Sequence, residues 1–216
     1  VAASARFYRD GIGMQAVTER EGEALLSLFG TGLRLLPARG GNAARVAGRA
    51  GNPILDLIAA NGFRYPSLWF RDPAAVCRRI EQAGYPGPQQ ARNVWFTRDP
   101  DGNPVEIMRL PRSAAGEAFT VGFVARDGNA TRKFLAEVLG LAEGDVWSLP
   151  APVGNMVLYP LGATLLKVAS PAGERRNGSA APPDAPGWRS VTIHVKDLPA
   201  ARKTLEERGA KPEPEG

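Results

Sequence analysis

Asp99-Pro-Asp-Gly-Asn-Pro-Val-Glu-Ile-Met-Arg-Leu110 reads as a tight turn feeding a β-strand. Asp-Gly-Asn supplies residues that tolerate turn and left-handed backbone at low cost. Val105, Ile107 and Leu110 then make a short apolar run in which Glu106 and Met108 share one face. A carboxylate between apolar neighbours on a strand must meet solvent, a partner or a cavity. Which of these applies to Glu106 depends on what the rest of the chain builds around it.

The chain repeats itself around this stretch. Phe7 to Gly13 and Phe134 to Gly140 are both six residues apart, at an offset of 127. Asp72 to Gly84 and Asp197 to Gly209 are both twelve apart, at an offset of 125. Two independent landmarks with nearly one period imply a tandem duplication. Ala3–Gly13 and Asp127–Gly140 read as helices ended by a glycine. Asp72-Pro73 and Asp197-Leu-Pro open two more, with Asp as N-cap and Pro suited to the first turn. Strands are expected at Met14–Arg20, Ala24–Phe29, Gly32–Leu36, Arg64–Arg71, Val94–Thr97 and Pro104–Leu110. In the second half they are expected at Phe119–Val124, Asn155–Pro160, Ala163–Val168 and Arg189–Lys196. Residues 40–53 and 170–187, rich in Gly, Ala and Pro, read as a loop and a linker, and 54–60 as a short helical turn. Each period thus holds two strand–helix–strand units, giving four related modules.

Composition bounds the rest. With 216 residues, 44% hydrophobic and 23% charged, the chain has material for one large or two small packed domains. No apolar run approaches the roughly 20 residues of a bilayer span. The net charge of +5 comes from scattered arginines with no Lys/Arg run longer than two, so nucleic-acid binding is not expected. The single cysteine, Cys77, excludes an internal disulfide, fits a reducing cytoplasm and reads as a packed small side chain.

A βαβββ module whose helix ends Phe7-Tyr-Arg-Asp-Gly-Ile-Gly-Met14, with a last strand introduced by Asp99-Pro-Asp-Gly-Asn and carrying Glu106, resembles the vicinal oxygen chelate superfamily. Phe134–Leu141 and Val191-Thr-Ile-His-Val-Lys-Asp-Leu198 carry the same resemblance in the second half. That superfamily includes glyoxalase I, bleomycin-resistance proteins and extradiol dioxygenases. The resemblance implies an α+β fold in which tandem βαβββ modules pair into two cupped-sheet, open-barrel domains, here 1–112 and 117–216. It also implies a cavity for a small organic molecule, and in many members a divalent metal (Mg, Mn, Fe, Ni or Zn) holding two neighbouring substrate oxygens.

The family's first-strand ligand position, seven residues before the helix-opening Asp, falls at Tyr65, Thr120 and Ser190. Its last-strand position falls at Arg34, Glu106 and Lys167, where only Glu106 is an acid. The offsets place the partner of Thr120 before residue 1 and that of Glu106 near 231, so the first strand of module one and the last strands of module four are expected outside this sequence. A metal is therefore expected only in the first domain, through Glu106, and the second is expected to be metal-free. Glu106 is the candidate metal ligand or general base, and Arg34 its anion or oxyanion partner. Tyr65, Ser67 and Trp69, alternating on one strand face, and Met108 are candidate substrate contacts. His194, the lone histidine, is expected to line the second cavity. Two functions fit: lyase, isomerase or ring-cleavage chemistry on a small molecule, or metal-free sequestration of a flat aromatic ligand. Neither requires a membrane or nucleic acid, and both are compatible with a homodimer in the cytoplasm.

Overall fold

A computed structural model describes residues 1–38, 54, 57–58, 60–112, 114–171 and 187–211. The loop expected at 40–53 and residues 172–186 of the expected linker lie outside the described residues, and the turn at 54–60 is described only in part. The architecture is α+β. Helix α1 (Ala2–Arg6) continues as a wider π-helical turn over Phe7–Ile12. Strands β1 (Gln15–Arg20), β2 (Glu23–Leu28) and β3 (Thr31–Leu35) form an antiparallel three-stranded sheet. Next come β4 (Gly62–Phe70), helix α2 (Pro73–Gln82), β5 (Gln89–Ala91), β6 (Val94–Arg98) and β7 (Pro104–Arg109). β8 (Ala118–Val124) leads into α3 (Gly128–Lys133), which again continues as a π-helical turn over Phe134–Val138. β9 (Val146–Ser148), β10 (Asn155–Leu161), β11 (Thr164–Ser170) and α4 (Leu198–Glu207) complete the chain. No helix among the described residues is long and apolar enough to cross a membrane.

The helices begin and end for local reasons. Asp72, Asp127 and Asp197 each accept a hydrogen bond from the backbone amide three residues on, as N-caps do. Gly13 (φ 93°) and Gly140 (φ 70°) turn the chain out of α1 and α3 in the left-handed region open to glycine. Both of these helices widen at the same point of the repeat, Phe7 and Phe134. The two phenylalanines differ in surroundings: Phe7 is buried against Tyr8 and Tyr85, whereas Phe134 is about half exposed.

β4 to β11 form one eight-stranded sheet in the order β5-β6-β7-β4-β8-β11-β10-β9. At its middle the first strands of modules two and three, β4 and β8, run antiparallel, and each is flanked by the last strand of its own module in parallel, β7 and β11. The strands before residue 112 and those after residue 117 therefore share one continuous sheet. One face packs Leu68, Phe70, Val105, Ile107, Phe119, Val121, Leu166 and Val168 into the main core under the helices. The other face carries Tyr65, Phe96, Val124, Met156 and Ala169, partly covered by Leu57 and Ile58. Cys77 is half-buried against the main core, and burial pushes its thiol up.

The opening turn locks module one onto module two. Asp99 accepts hydrogen bonds from the amides of Asp101 and Asn103, from the Asn103 side chain at 2.9 Å and from the buried Tyr8 hydroxyl at 3.0 Å. Ser4 donates to Asp101 beside it.

One expected strand is absent. Residues 189–196 alternate polar and apolar, yet they pair with no described strand, and Ile193 and Val195 are about half exposed. Their counterpart one period earlier, β4, gains its ladders from β7 and β8. No described strand stands in those two positions beside 189–196, so the alternation has no sheet to join.

Candidate functional site

Four strands bring polar side chains to one point at the centre of the eight-stranded sheet. β4 supplies Tyr65, Ser67 and Trp69, β7 supplies Glu106, β8 supplies Thr120 and β11 supplies Lys167. Ser67 stands opposite Glu106 in the β4–β7 ladder, and Gly122 stands opposite Lys167 in the β8–β11 ladder. Ser67 precedes the N-cap Asp72 by five residues, as Gly122 precedes Asp127. Glu106 and Lys167 therefore hold equivalent positions in two modules that meet through an antiparallel strand pair. Two equivalent positions carry opposite charges.

Neighbouring strands lie about 4.8 Å apart, so β7 and β11, with β4 and β8 between them, would be roughly 14 Å apart on a flat sheet. Sheet curvature and two long side chains close that gap. Lys167 Nζ lies 2.5 Å from Glu106 Oε2 and 2.6 Å from Ser67 Oγ. Ser67 donates to the same carboxylate oxygen. The ammonium also stands 4.7 Å from the centroid of the Tyr65 ring, a cation–π contact. Beside it Trp69 Nε1 donates to Thr120 Oγ1 at 3.0 Å. Exposure is 0% for Ser67 and Thr120, 1% for Lys167, 2% for Tyr65 and 7% for Glu106, so water screens little of this. Burial alone would depress the Lys167 ammonium, but Glu106 and Tyr65 outweigh it and hold the group above its ordinary value. Burial pushes the Tyr65 hydroxyl up, with Lys167 opposing the shift.

Gly122 makes the arrangement sterically feasible. A Cβ at that position would stand 2.6 Å from Tyr65 Cζ, so the ring under the ammonium needs a residue without one. At one side of the cluster the rings of Trp69 and Trp147 meet edge-on at 5.9 Å. Half-buried Met108 is the ladder partner of Trp69.

No family model and no curated protein matches the sequence. Solved structures do match it in shape. A point variant of glyoxalase I from Zea mays aligns with 96% of this chain and 74% of its own, at TM-score 0.63 and 13% identity. Glyoxalase I from Zea mays itself aligns over 81% of this chain and 64% of its own, at TM-score 0.56 and 16% identity. A second variant of that enzyme gives TM-score 0.57 with 65% of its length covered. The chain has the vicinal oxygen chelate fold. It spans about two thirds to three quarters of the length of these neighbours.

Of the six positions aligned above with the family's ligands, Tyr65, Glu106, Thr120 and Lys167 come together at the centre of the sheet, whereas Arg34 and Ser190 lie exposed elsewhere. As a donor set the four do not fit a divalent metal. The one carboxylate is already neutralised by an ammonium, whose charge would repel a second cation at contact distance. Among the described residues no three His, Cys, Asp or Glu side chains are grouped so as to hold a metal ion.

The other candidate residues divide clearly. Tyr65, Ser67, Trp69 and Met108 share the face of Glu106, as their strand parity implies. Arg34 does not join them: it lies exposed, with Nε 2.7 Å from Glu23. His194 sits exposed in the stretch 189–196, which joins no described sheet. Sequence reasoning treated Lys167 only as a lost acid and missed its reach to Glu106. A sequence signal existed, because Lys167 interrupts Leu165, Leu166, Val168 and Ala169 and so demands a buried anion. Nothing in the sequence pointed to Trp147.

Proposed function

We propose that this chain binds a small planar organic molecule against the Tyr65–Trp69–Met108 face of the eight-stranded sheet, without a metal ion. The observation that carries this reading is the closed network of Lys167, Glu106 and Ser67 at the point where the resembled family places its metal. With the carboxylate held by an ammonium and a hydroxyl, the polar centre serves as a floor. The aromatic surface of Trp69 and Trp147 with the thioether of Met108 is then the surface for a flat ligand. Tryptophan fluorescence during titration with neutral bicyclic and tricyclic aromatics, in the presence of chelator, tests it. Saturable quenching is expected, with affinity about tenfold weaker in Trp147→Ala, the loss of roughly one aromatic contact. Glu106→Gln is expected to leave the affinity within about threefold.

The catalytic reading, with Glu106 as metal ligand or base, draws its support from the likeness in fold to glyoxalase I. It would replace the first reading if metal analysis found stoichiometric divalent metal that Glu106→Gln removes, and ligand binding that depends on it.

A further inference from the structure

We infer that the centre of the eight-stranded sheet is a cation site filled from within the chain, with the Lys167 ammonium in the place of an ion from solution. Glu106 and Lys167 are equivalent by ladder register, one opposite Ser67 and the other opposite Gly122. A carboxylate at both positions would put two buried anions side by side, an arrangement that survives only with a cation between them or with one acid protonated. A lysine at one position turns the same geometry into a self-neutral pair. The ammonium takes Glu106 and Ser67 as oxygen partners and the Tyr65 ring at 4.7 Å as a third. The groups shown at the ammonium are oxygens, the Glu106 carboxylate and the Ser67 hydroxyl, which is the donor chemistry of hard cations.

The natural chain should therefore be indifferent to divalent ions at this point. Lys167→Glu, which gives the two equivalent positions the same residue, should create a site for Mn²⁺. This rests on the metal-free reading of the centre but not on the aromatic ligand. Failed fluorescence titrations would end the ligand proposal and leave the Mn²⁺ prediction standing, and the reverse also holds.

The experiment is thermal unfolding and equilibrium binding with Mn²⁺ alone. For Lys167→Glu the expected result is one Mn²⁺ per chain, with a Tm that rises with the logarithm of Mn²⁺ concentration and falls on chelation. Adding Glu106→Gln to that variant should weaken binding at least about tenfold, the loss of one charged ligand. For the natural protein, Tm should not move with Mn²⁺ or chelator, and the Met108 and Met156 methyl signals should not be broadened by Mn²⁺. Three results would overturn the inference: broadening of the Met108 signal in the natural protein, a folded Lys167→Glu variant that binds no Mn²⁺, or one that stays unfolded at millimolar Mn²⁺.

Discussion

Lys167 and Glu106 are each tolerable in the sheet only because of the other. Removing one partner of a buried ion pair leaves an uncompensated charge and costs about 3–5 kcal/mol. Lys167→Met should therefore lower unfolding stability in urea by about that amount. Combining it with Glu106→Gln should recover much of the loss, because the stranded charge goes too. A double variant as unstable as the sum of the singles would show that the residues act independently. The pair also sets a pH dependence. The folded chain holds the Lys167 proton more tightly than the unfolded chain, so the contribution is full below the ordinary lysine value of about 10.4. It is lost as pH rises through the higher folded value. The stability gap between the natural protein and Lys167→Met should shrink only above about pH 10.4, and a gap already closing at pH 8 would contradict the assignment. Neutral Gly122 is as constrained as the charges. Gly122→Ala drives a methyl into the Tyr65 ring and should destabilise by about 1–3 kcal/mol.

Among the elements, local chemistry was readable and pairing was not. The three Asp N-caps, the glycine helix stops and the Asp99–Asn103 turn lie where the sequence puts them, because each depends on groups within a few residues. The strand parity that gathers Tyr65, Ser67 and Trp69 is equally local. Residues 189–196 show the limit: alternation specifies which side chains share a face, but a ladder needs another strand's free edge. Arg34 fails for a related reason. Its strand belongs to the three-stranded sheet, and no sequence pattern tells which modules share a sheet. The Asp99 turn supplies a prediction at this scale. Its carboxylate collects four donors, and only Tyr8 comes from another module. Tyr8→Phe should cost about 1 kcal/mol, one hydrogen bond, leaving the turn intact. Asp99→Ala should cost more, since it orphans several donors at once, the buried Tyr8 hydroxyl among them. Chemical denaturation of the two variants checks the order, and equal losses would mean that the turn's internal bonds contribute nothing.

Across the whole molecule, cohesion is unevenly distributed. β4, β8, β7 and β11 are interior strands with ladders on both sides, buried side chains on both faces and the ion pair bridging the outer two. Residues 189–196 join no described ladder, and of them Val191 alone packs in part against the core. Amide exchange reads this contrast directly, because a protected amide exchanges only when its local structure opens. In the four central strands opening requires loss of the sheet, so those amides should exchange at the rate of global unfolding. With a marginal stability of at least about 5 kcal/mol, that is roughly a thousandfold or more slower than an unprotected amide. Ile193 and Val195 should exchange at nearly the unprotected rate. In Lys167→Met the central strands should lose protection together, since the ion pair spans all four, while 189–196 stays unchanged. If only the β11 amides became faster, Lys167 would be anchoring its own strand and not the centre of the sheet.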